Sequence, residues 1–373
     1  MREPDPEFEA FVARARAGSF DKAGVLCGFV PTKDTAKAKD RAGPCPACGG
    51  TDRFSVNLPK RKFNCRGCKA KGRNALALAL VGEHVSFIDA CEDLTGEKRP
   101  DRMRDETAAE REARLARIAA REAEIAEQRA AQEAEAERER AEKRAQAVFL
   151  WNRAHVPEHD WRGSLVETYL RFRRIVPGNL RNLRFYPRLN FKHNEQVVWT
   201  GPGMLARIED AEGHLIGVHR TWIDPALTNG ISGGKGRPIL TDVKTGAALK
   251  TKKVLGEQIG GTIRLIDGLN PRRLVAGEGI ETVLAVHTAL TAAASPLLGA
   301  CAFWSGVNLK NLRNMPVPAS VEHVILLGDG DSDPESTSRD LKAAAQALAR
   351  PGRRVSEVFA DAGQDFASML EAA

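Results

Sequence analysis

The spacing of hydrophobic and polar positions divides the chain into segments of different period. Towards the C-terminus, short apolar runs end at turns and precede helical patterns: RRLVAGEG (272–279) is followed by GIETVLAVHTAL, and VEHVILLGDGDSD (321–333) by SRDLKAAAQALA. A third apolar run, RRVSEVFADAG, follows at 353–363. Strands that alternate with helices of about 12 residues predict an α/β fold with a parallel, doubly wound sheet.

Residues 101–147 follow another pattern. They hold 11 Lys or Arg, 13 Asp or Glu and 15 Ala, without Gly or Pro. Opposite charges three or four positions apart stabilise a helix of this composition. Only Leu115, Ile118 and Ile125 approach the core positions of a coiled coil, so we expect a solvated single helix. This segment divides the chain into predicted domains at 1–100, 151–268 and 269–373, with a charged helical linker at 101–150.

The composition is typical of a multi-domain globular protein, with 42% apolar and 28% charged residues among 373. The longest apolar run, at 75–81, is far shorter than the roughly 18 residues of a membrane span. The N-terminal MREPDPEFEAF lacks the hydrophobic core of a signal peptide. We therefore expect a cytoplasmic protein without a membrane partner. The net charge of +7 indicates a polyanionic partner.

Four of the seven cysteines form a cluster. Cys45 and Cys48 make one CxxC pair and Cys65 and Cys68 another, with sixteen residues between the pairs. Two such turns supply the four thiolates of a tetrahedral Zn²⁺ site, which has no open position and is structural. The alternatives are an iron–sulfur site and a redox pair. We expect the remaining cysteines to be small buried hydrophobes: Cys27, Cys91 and Cys301.

A basic run with interleaved aromatic residues lies between the two cysteine pairs. Its cations are candidates for contacts with nucleic-acid phosphates: Arg53, Lys60, Arg61 and Lys62. Phe54 and Phe63 are expected in the core of the small ribbon, the alternative being that they stack on bases.

Acidic residues follow two of the predicted strands. Glu278 comes directly after one strand, and Asp329 and Asp331 follow another in the stretch GDGDSDPES. Residues just beyond the carboxyl ends of parallel strands lie where ligands bind in open α/β sheets. Three carboxylates at such an edge predict a site for Mg²⁺ or Mn²⁺.

Several motifs resemble those of a known family. GEGIETVLA, SGVNLKNL, VILLGDGDSDPES and AGQDFASML are similar to the successive motifs of a Toprim domain. CPACGGTDRF…CRGCKAKG, followed by ALALALVGEHVSFIDACEDLTG, resembles the zinc-binding domain of bacterial and phage DNA primases. YLRFRRIVPG, GMLARIEDAEGHLIGVHRTWIDP and KTKKVLG look like the basic N-terminal half of a primase catalytic core. The order of these regions is that of a primase.

The resemblance implies roles for individual residues. Glu278 matches the Toprim glutamate, Asp329 and Asp331 match its DxD metal ligands, and Asp365 matches a further acidic position near the metals. The basic residues that face template and incoming nucleotide correspond to Arg220, Lys252 and Lys253, unless these are ordinary surface cations. One departure is Thr282, which stands where the primase motif usually carries an aspartate, while Glu281 precedes it.

The implied function is DNA-directed synthesis of short RNA primers from nucleoside triphosphates on a single-stranded template. NGISGGKGRP lacks the first Gly and the Ser or Thr of a phosphate-binding loop, so we expect a separate helicase partner. The alternatives are a Toprim nuclease or recombination protein, and a catalytically silent single-strand binder. A topoisomerase is disfavoured because only Tyr169 and Tyr186 could attack a strand. The absent helicase and Thr282 favour a phage or mobile-element origin.

Overall fold

The computed structural model describes residues 6–32, 39–82, 84–100, 108–154, 160–227, 235–268, 270–330 and 333–372, with four side chains of the long helix (110, 111, 114 and 118) left out. The chain divides into two compact units, one ending at Arg138 and the other beginning at Glu139. Within the described residues, no helix combines the length and the apolar character needed to cross a membrane.

The first unit contains a four-stranded antiparallel sheet flanked by helices. The strands lie in the order β1 (Asp40–Cys45), β2 (Gly49–Asn57), β3 (Lys62–Cys65) and β4 (Lys71–Gly72). The helices are α1 (Pro6–Ala17), α2 (Phe20–Leu26), α3 (Ala75–Ala79) and α4 (Phe87–Thr95). Side chains of Ser19, Asn74 and Ser86 accept hydrogen bonds from the first turns of α2, α3 and α4, which explains where these helices begin.

The core of this unit joins the small sheet to the helices. Phe54 and Phe63 are buried, with ring centroids 5.8 Å apart, which confirms the core prediction for both. Cys27 and Cys91 are buried in the same cluster, as expected of small hydrophobes.

The charged segment forms one helix, α5 (Ala108–Arg153). Most of its described side chains are exposed, including Leu115, which agrees with a charged single helix. Ile125 is buried, and the Arg121 guanidinium donates to the carbonyl of Val25 in α2. Part of the helix therefore packs against the N-terminal domain, and the linker at 101–150 stays a prediction.

The second unit begins with the end of α5 and the helix α6 (Leu165–Phe172). An antiparallel sheet follows in the order β5 (Leu183–His193), β6 (Gln196–Glu209), β7 (Leu215–Trp222) and β8 (Lys252–Gly256). Trp151 of α5 packs in a cluster with Phe191 and Trp222 of this sheet.

The C-terminal sheet has five strands in the order β13-β12-β10-β11-β9. They are β9 (Ile263–Ile266), β10 (Arg273–Gly277), β11 (Cys301–Ser305), β12 (His323–Gly328) and β13 (Arg354–Phe359). All are parallel to their neighbours except β9, which pairs with β11 in antiparallel orientation. The helices are α7 (Ile280–Ala292), α8 (Pro334–Leu348) and α9 (Phe366–Ala372).

Both faces of this sheet are covered. Val275 and Phe303 pack with Val283 of α7 on one face, and Leu326 packs with Leu341 of α8 on the other. Alternate residues of each strand point to opposite faces, so short apolar runs fill both layers. The predicted parallel, doubly wound sheet is confirmed. The sequence did not predict β9, an edge strand of four residues, because so short an apolar run has no distinctive period.

Candidate active site and zinc centre

The four predicted zinc ligands converge in the first unit. Cys45 ends β1 and Cys65 ends β3, and Cys48 and Cys68 lie in the turns that follow. All four sulfur atoms lie within 4.8 Å of one another, with Cys45 to Cys68 at 3.8 Å and Cys48 to Cys65 at 3.6 Å. Zn–S bonds of about 2.3 Å in a tetrahedron place sulfur atoms about 3.8 Å apart, so these residues fit a zinc ion.

The backbone of the second cysteine turn favours thiolate. The N–H of Gly67 donates to the Cys65 sulfur at 3.3 Å. Burial raises the thiol pKa, but hydrogen bonds from the backbone of Cys68 and Gly67 outweigh it and lower the pKa of Cys65 to about 6. These backbone donors thus favour the thiolate of Cys65, the form that binds zinc, whereas burial raises the pKa of Cys45 in the same cluster to about 12.

The basic run between the cysteine pairs divides into two groups. The Arg61 guanidinium donates to the carbonyls of Ala17 and Gly18 at the end of α1 and lies over the Phe20 ring. The Arg53 side chain covers the backbone of Gly50 and Gly67. These two arginines thus make contacts within the domain, although Arg53 is exposed, as are Lys60 and Lys62.

In the second unit, Glu278 and Asp329 lie at the carboxyl ends of two neighbouring strands of the parallel sheet, a region called the acidic edge below. Glu278 directly follows β10 and Asp329 directly follows β12, and these strands are neighbours with Gly277 opposite Leu327. Glu278 is exposed and Asp329 is half-buried. Asp331 lies outside the described residues, so its predicted role as a metal ligand stays a prediction.

The loop after β12 is held by a second loop near the C-terminus. The N–H of Gly330 donates to the carbonyl of Gln364, and the N–H of Gly363 donates to the carbonyl of Gly330, both at 2.8 Å. A Cβ atom at Gly330 would lie 2.3 Å from the carbonyl oxygen of Asp361. Position 330 therefore requires glycine for close backbone approach.

Thr282 contacts the acidic edge directly. Its hydroxyl lies on the first turn of α7 and donates to the Asp329 carboxylate, with distances of 3.1 and 3.3 Å to the two oxygens. The residue that departs from the primase motif therefore orients the carboxylate of Asp329 through a hydrogen bond.

Asp365 has a different environment. Its carboxylate accepts a hydrogen bond from the N–H of Ser368 in α9 and pairs with the ammonium of Lys235. Burial acts to raise its pKa, but Lys235 and Ser368 outweigh burial and lower it. Asp365 thus begins α9 and is engaged by a cation, and its role at a metal remains a prediction.

Glu281, one residue before Thr282, is the centre of a buried polar network. Its carboxylate accepts a hydrogen bond from the Tyr169 hydroxyl at 2.7 Å and pairs with the Lys252 ammonium at 2.8 Å. Burial acts to raise its pKa, but Lys252, Arg237 and Arg173 hold the pKa well below its ordinary value. Glu281 is therefore an ionised carboxylate inside the protein, and it joins α6 and β8 to α7.

Tyr169 cannot serve as a strand-attacking nucleophile. It is fully buried, and burial together with the adjacent Glu281 strongly raises its pKa. The structure thus supports the argument from sequence against a topoisomerase for this tyrosine.

Lys252 and Lys253 are neighbours on β8, where successive side chains point to opposite faces of the sheet. Thr221 lies opposite Lys252 and Arg220 opposite Lys253, so the two lysines point to different faces. Lys252 pairs with Glu281, while Lys253 lies over the Phe191 ring, 3.9 Å from its centroid.

Arg220 is largely enclosed. Its guanidinium donates to the carbonyl of Val254 and lies over the Trp222 ring. Burial lowers its pKa to about 10. The environment of Arg220 is therefore that of a packed side chain.

A groove of about 1440 Å³ connects β8 to the acidic edge. Glu278 and Ser305 line its sheet end, and the Ser305 hydroxyl donates to the Glu278 carbonyl at 2.7 Å. Five cations also line the groove: Arg237, Lys250, Lys252, Lys253 and Lys310. A groove with this charge can accept a phosphate chain beside a carboxylate.

The described residues contain two groups of three or more potential ligands within 4.8 Å: the four cysteines, and Asp210, Glu212 and His214 in the β6–β7 turn. Neither contains Glu278 or Asp329. Two carboxylates on neighbouring strand ends nevertheless supply the oxygen donors that Mg²⁺ and Mn²⁺ prefer. Glu278 and Asp329 therefore carry donor atoms of the right type, and their role as metal ligands stays a prediction.

Sequence reasoning did not assign a role to Glu281 or to Arg237. The signal for Glu281 was a carboxylate at an inward position of an otherwise apolar helix, GIETVLAVHTAL. For Arg237 the sequence holds no such signal, because its neighbours in space are distant along the chain.

Comparison with known proteins identifies two regions. Residues 273–373 match the family model of the Toprim domain, and residues 141–265 match a domain of unknown function, DUF7146. No curated protein matches the chain.

Solved structures similar to the chain include three primases. The Aquifex aeolicus primase, with zinc-binding and RNA polymerase domains, is 13% identical, with coverage of 99% of this chain and 83% of that one and a TM-score of 0.35. A DNA primase domain from Pseudomonas aeruginosa is 12% identical, with coverage of 56% and 68% and a TM-score of 0.34. A DnaG primase catalytic domain bound to single-stranded DNA is 12% identical, with coverage of 63% and 78% and a TM-score of 0.37.

Because these TM-scores are all below 0.5, the assignment of a Toprim domain rests on the family model and on the residues themselves. The match to the family model begins at Arg273, the first residue of β10, and includes Glu278 and Asp329. This chain contains a Toprim domain at residues 273–373 and a four-cysteine cluster near its N-terminus.

Proposed function

We propose that the protein is a DNA primase that synthesises short RNA primers on single-stranded DNA by divalent-metal-dependent nucleotidyl transfer. The observation that carries the proposal is the groove in which Glu278, at the edge shared with Asp329, lies beside a row of cations. Nucleotide addition requires this combination, because triphosphate and template are polyanions while the reacting phosphoryl group needs metal ligands nearby.

The acidic edge would hold the ions. Glu278 and Asp329 would bind Mg²⁺ or Mn²⁺ together with Asp331, and Thr282 would fix the Asp329 carboxylate. When bound, the ions neutralise the charge that develops on the phosphoryl group. Asp365 would not bind the ions directly, since its carboxylate is paired with Lys235.

The basic groove would orient the substrates. Lys252 and Lys253 would contact phosphates of the nucleotide or template, and Lys252 would be held in place by Glu281. Arg220 would support β8 through its bond to Val254. These cations fix the position of the triphosphate, and positioning supplies much of the rate in phosphoryl transfer.

The zinc domain would bind the template. Lys60 and Lys62 are exposed on the small sheet and suit contacts with template phosphates, with Arg53 beside the cysteine turns. Zinc would be structural, because four thiolates leave no open position. Helicase activity would come from a separate protein.

The test is incubation of the purified protein with single-stranded DNA, labelled ribonucleotides and Mg²⁺ or Mn²⁺. Short RNA products are expected from the parent. Asp329→Ala should abolish synthesis and leave DNA affinity within about twofold, because removal of a metal ligand need not change phosphate contacts.

Glu335→Ala is the matched control, since this exposed carboxylate belongs to the same acidic stretch. Cleaved template would favour a Toprim nuclease, and neither product would favour a silent binder. Parent-level synthesis by Asp329→Ala would overturn the metal assignment.

A further inference from the structure

A pocket lined by arginines lies at the amino ends of the Toprim strands, whereas the acidic edge lies at their carboxyl ends. Five arginines line a surface cavity of about 780 Å³ at the amino ends of β10, β12 and β13: Arg272, Arg273, Arg350, Arg353 and Arg354. Its other titratable lining residues are His323 and Glu322, so one carboxylate faces five guanidinium groups. The acidic edge lies at the other ends of the same strands, about 20 Å away along a strand of six residues.

Three of the five guanidinium groups form the frame of the pocket. Arg353 is buried and donates to the carbonyls of Val321, Pro318 and Val317. Arg350 donates to the carbonyl of Ala319, and Arg272 pairs with Glu322. These contacts attach the loops around the pocket to one another.

The guanidinium groups of the remaining two, Arg273 and Arg354, have no hydrogen-bond or ion-pair partner in the part of the chain that the structure describes. Arg354 is exposed and Arg273 is half-buried. Both lie opposite His323, Arg273 on β10 and Arg354 on β13. Their backbones are thus two strand spacings apart, about 10 Å.

His323 lies between the two arginines, on the strand that separates β10 from β13. Its Nε2 shares a hydrogen bond with the Ser356 hydroxyl at 2.7 Å. Burial first, and then Arg354 and Arg273, lower its pKa below the ordinary value. The imidazole is therefore neutral near pH 7 and adds no positive charge to that of the two guanidinium groups.

We propose that the arginine pocket binds the phosphate backbone of a nucleic-acid strand, as a second contact distant from the acidic edge. Guanidinium groups without partners repel one another, and phosphates relieve this repulsion through paired N–H donors. The lining residues include no Phe, Tyr or Trp for base stacking, so recognition is through the phosphates and independent of sequence. The contact goes beyond primer synthesis and does not require it.

The decisive variant is Arg273→Gln/Arg354→Gln, with Arg339→Gln/Lys342→Gln as the control. The control removes two exposed positive charges from α8 of the same domain. Fluorescence anisotropy of a labelled single strand of about 40 nucleotides, measured over a range of salt concentrations, gives the affinity and its salt slope. Loss of two phosphate contacts should reduce the slope by about 1.4, whereas the control should keep it.

Two further measurements make the result independent of folding defects. Arg273→Lys/Arg354→Lys retains both charges and should retain most of the slope. In the unmodified protein, single-stranded DNA should protect Arg273 and Arg354 from an arginine-specific reagent, read by mass spectrometry. An unchanged slope together with unprotected arginines would overturn the proposal.

The protection experiment also distinguishes a nucleic-acid backbone from a small phosphate-containing anion as the ligand of the pocket. If inorganic phosphate or ATP protects the two arginines at the same concentration of phosphate groups as DNA does, the pocket takes a small anion and the nucleic-acid proposal fails. Because binding is measured, the answer does not depend on primer synthesis. Protection without synthesis would retain the arginine pocket and reject the primase, and synthesis without protection would do the reverse.

Discussion

The four-cysteine cluster and the acidic edge are both predicted metal sites, yet they are constructed differently. The cysteine ligands come from two short turns of one small sheet, and their sulfur atoms already lie at zinc-binding distances. The acidic ligands come from separate strand ends, and their surroundings are polar contacts from distant parts of the chain: Thr282, Gln364 and the groove cations.

The difference shows which sites local sequence can specify. A CxxC turn fixes two thiolates through its own backbone, so motif and geometry coincide. A carboxylate at a strand end is fixed by its neighbours, so the motif predicts its position but not its hydrogen bonds. Substitutions should therefore act locally in the cysteine cluster and through partners at the acidic edge.

The largest expected effect is loss of a cysteine ligand. Cys65→Ala should release zinc and unfold the small sheet, because structural zinc contributes on the order of 10 kcal/mol to the folding of small domains. Metal analysis and hydrogen exchange of residues 40–72 measure both consequences. Cys91→Ala, at a buried cysteine outside the cluster, should keep one zinc ion. One zinc per chain in the Cys65 variant would contradict the ligand assignment.

A smaller effect is expected at Glu281. Glu281→Gln keeps the size of the side chain but removes the charge that faces Lys252, which should lower the free energy of unfolding by about 3–5 kcal/mol at neutral pH. Denaturant titration of the parent and the variant measures the difference. Glu335→Gln, an exposed carboxylate, should change it by less than about 0.5 kcal/mol.

The same network sets a pH dependence. The pKa of Glu281 in the folded state is well below its ordinary value, so its contribution is complete above the unfolded pKa of about 4.3. It is lost as the pH falls further towards the folded pKa. The gap in stability between parent and Glu281→Gln should thus be constant from pH 7 to about pH 5 and should narrow below about pH 4.3. A gap that widens in acid would show the opposite linkage.

The smallest effect is expected at Thr282. Thr282→Val removes the hydroxyl that orients Asp329 and should weaken Mn²⁺ binding about tenfold, the usual lower range for loss of a residue that positions a metal ligand. Calorimetric titration with Mn²⁺ measures the change. Thr291→Val is the control, because its hydroxyl on the same helix bonds only to its own turn. Equal affinity in parent and Thr282→Val would mean that the contact does not position the carboxylate.

Much of the fold followed from the sequence because its signals are local. The apolar runs at 272–279 and 321–333 gave strands followed by helices, and Phe54 and Phe63 entered the ribbon core as expected. The opposite orientations of Lys252 and Lys253 also had a signal, since neighbouring residues of any strand alternate between its faces.

The remaining features depend on contacts between distant segments. Tyr169, Lys252 and Glu281 meet in one network although they lie on separate elements. Arg61 belongs to a basic run that predicts contacts with phosphates, but its guanidinium donates to the carbonyls at the end of α1. Single-residue chemistry and spacing do not specify such partners, because each cation has several acceptors within reach.

Gly330, between Asp329 and Asp331 in the sequence, has a consequence for how the protein tolerates truncation. The backbone of Gly330 is held by hydrogen bonds and close contacts with residues near 361–364, so the acidic loop depends on a segment that follows β13. A chain that ends before that segment would keep Asp329 but lose the hydrogen bonds that hold the backbone of Gly330 beside it. A truncated product should therefore resemble the full chain in composition while lacking an ordered acidic edge.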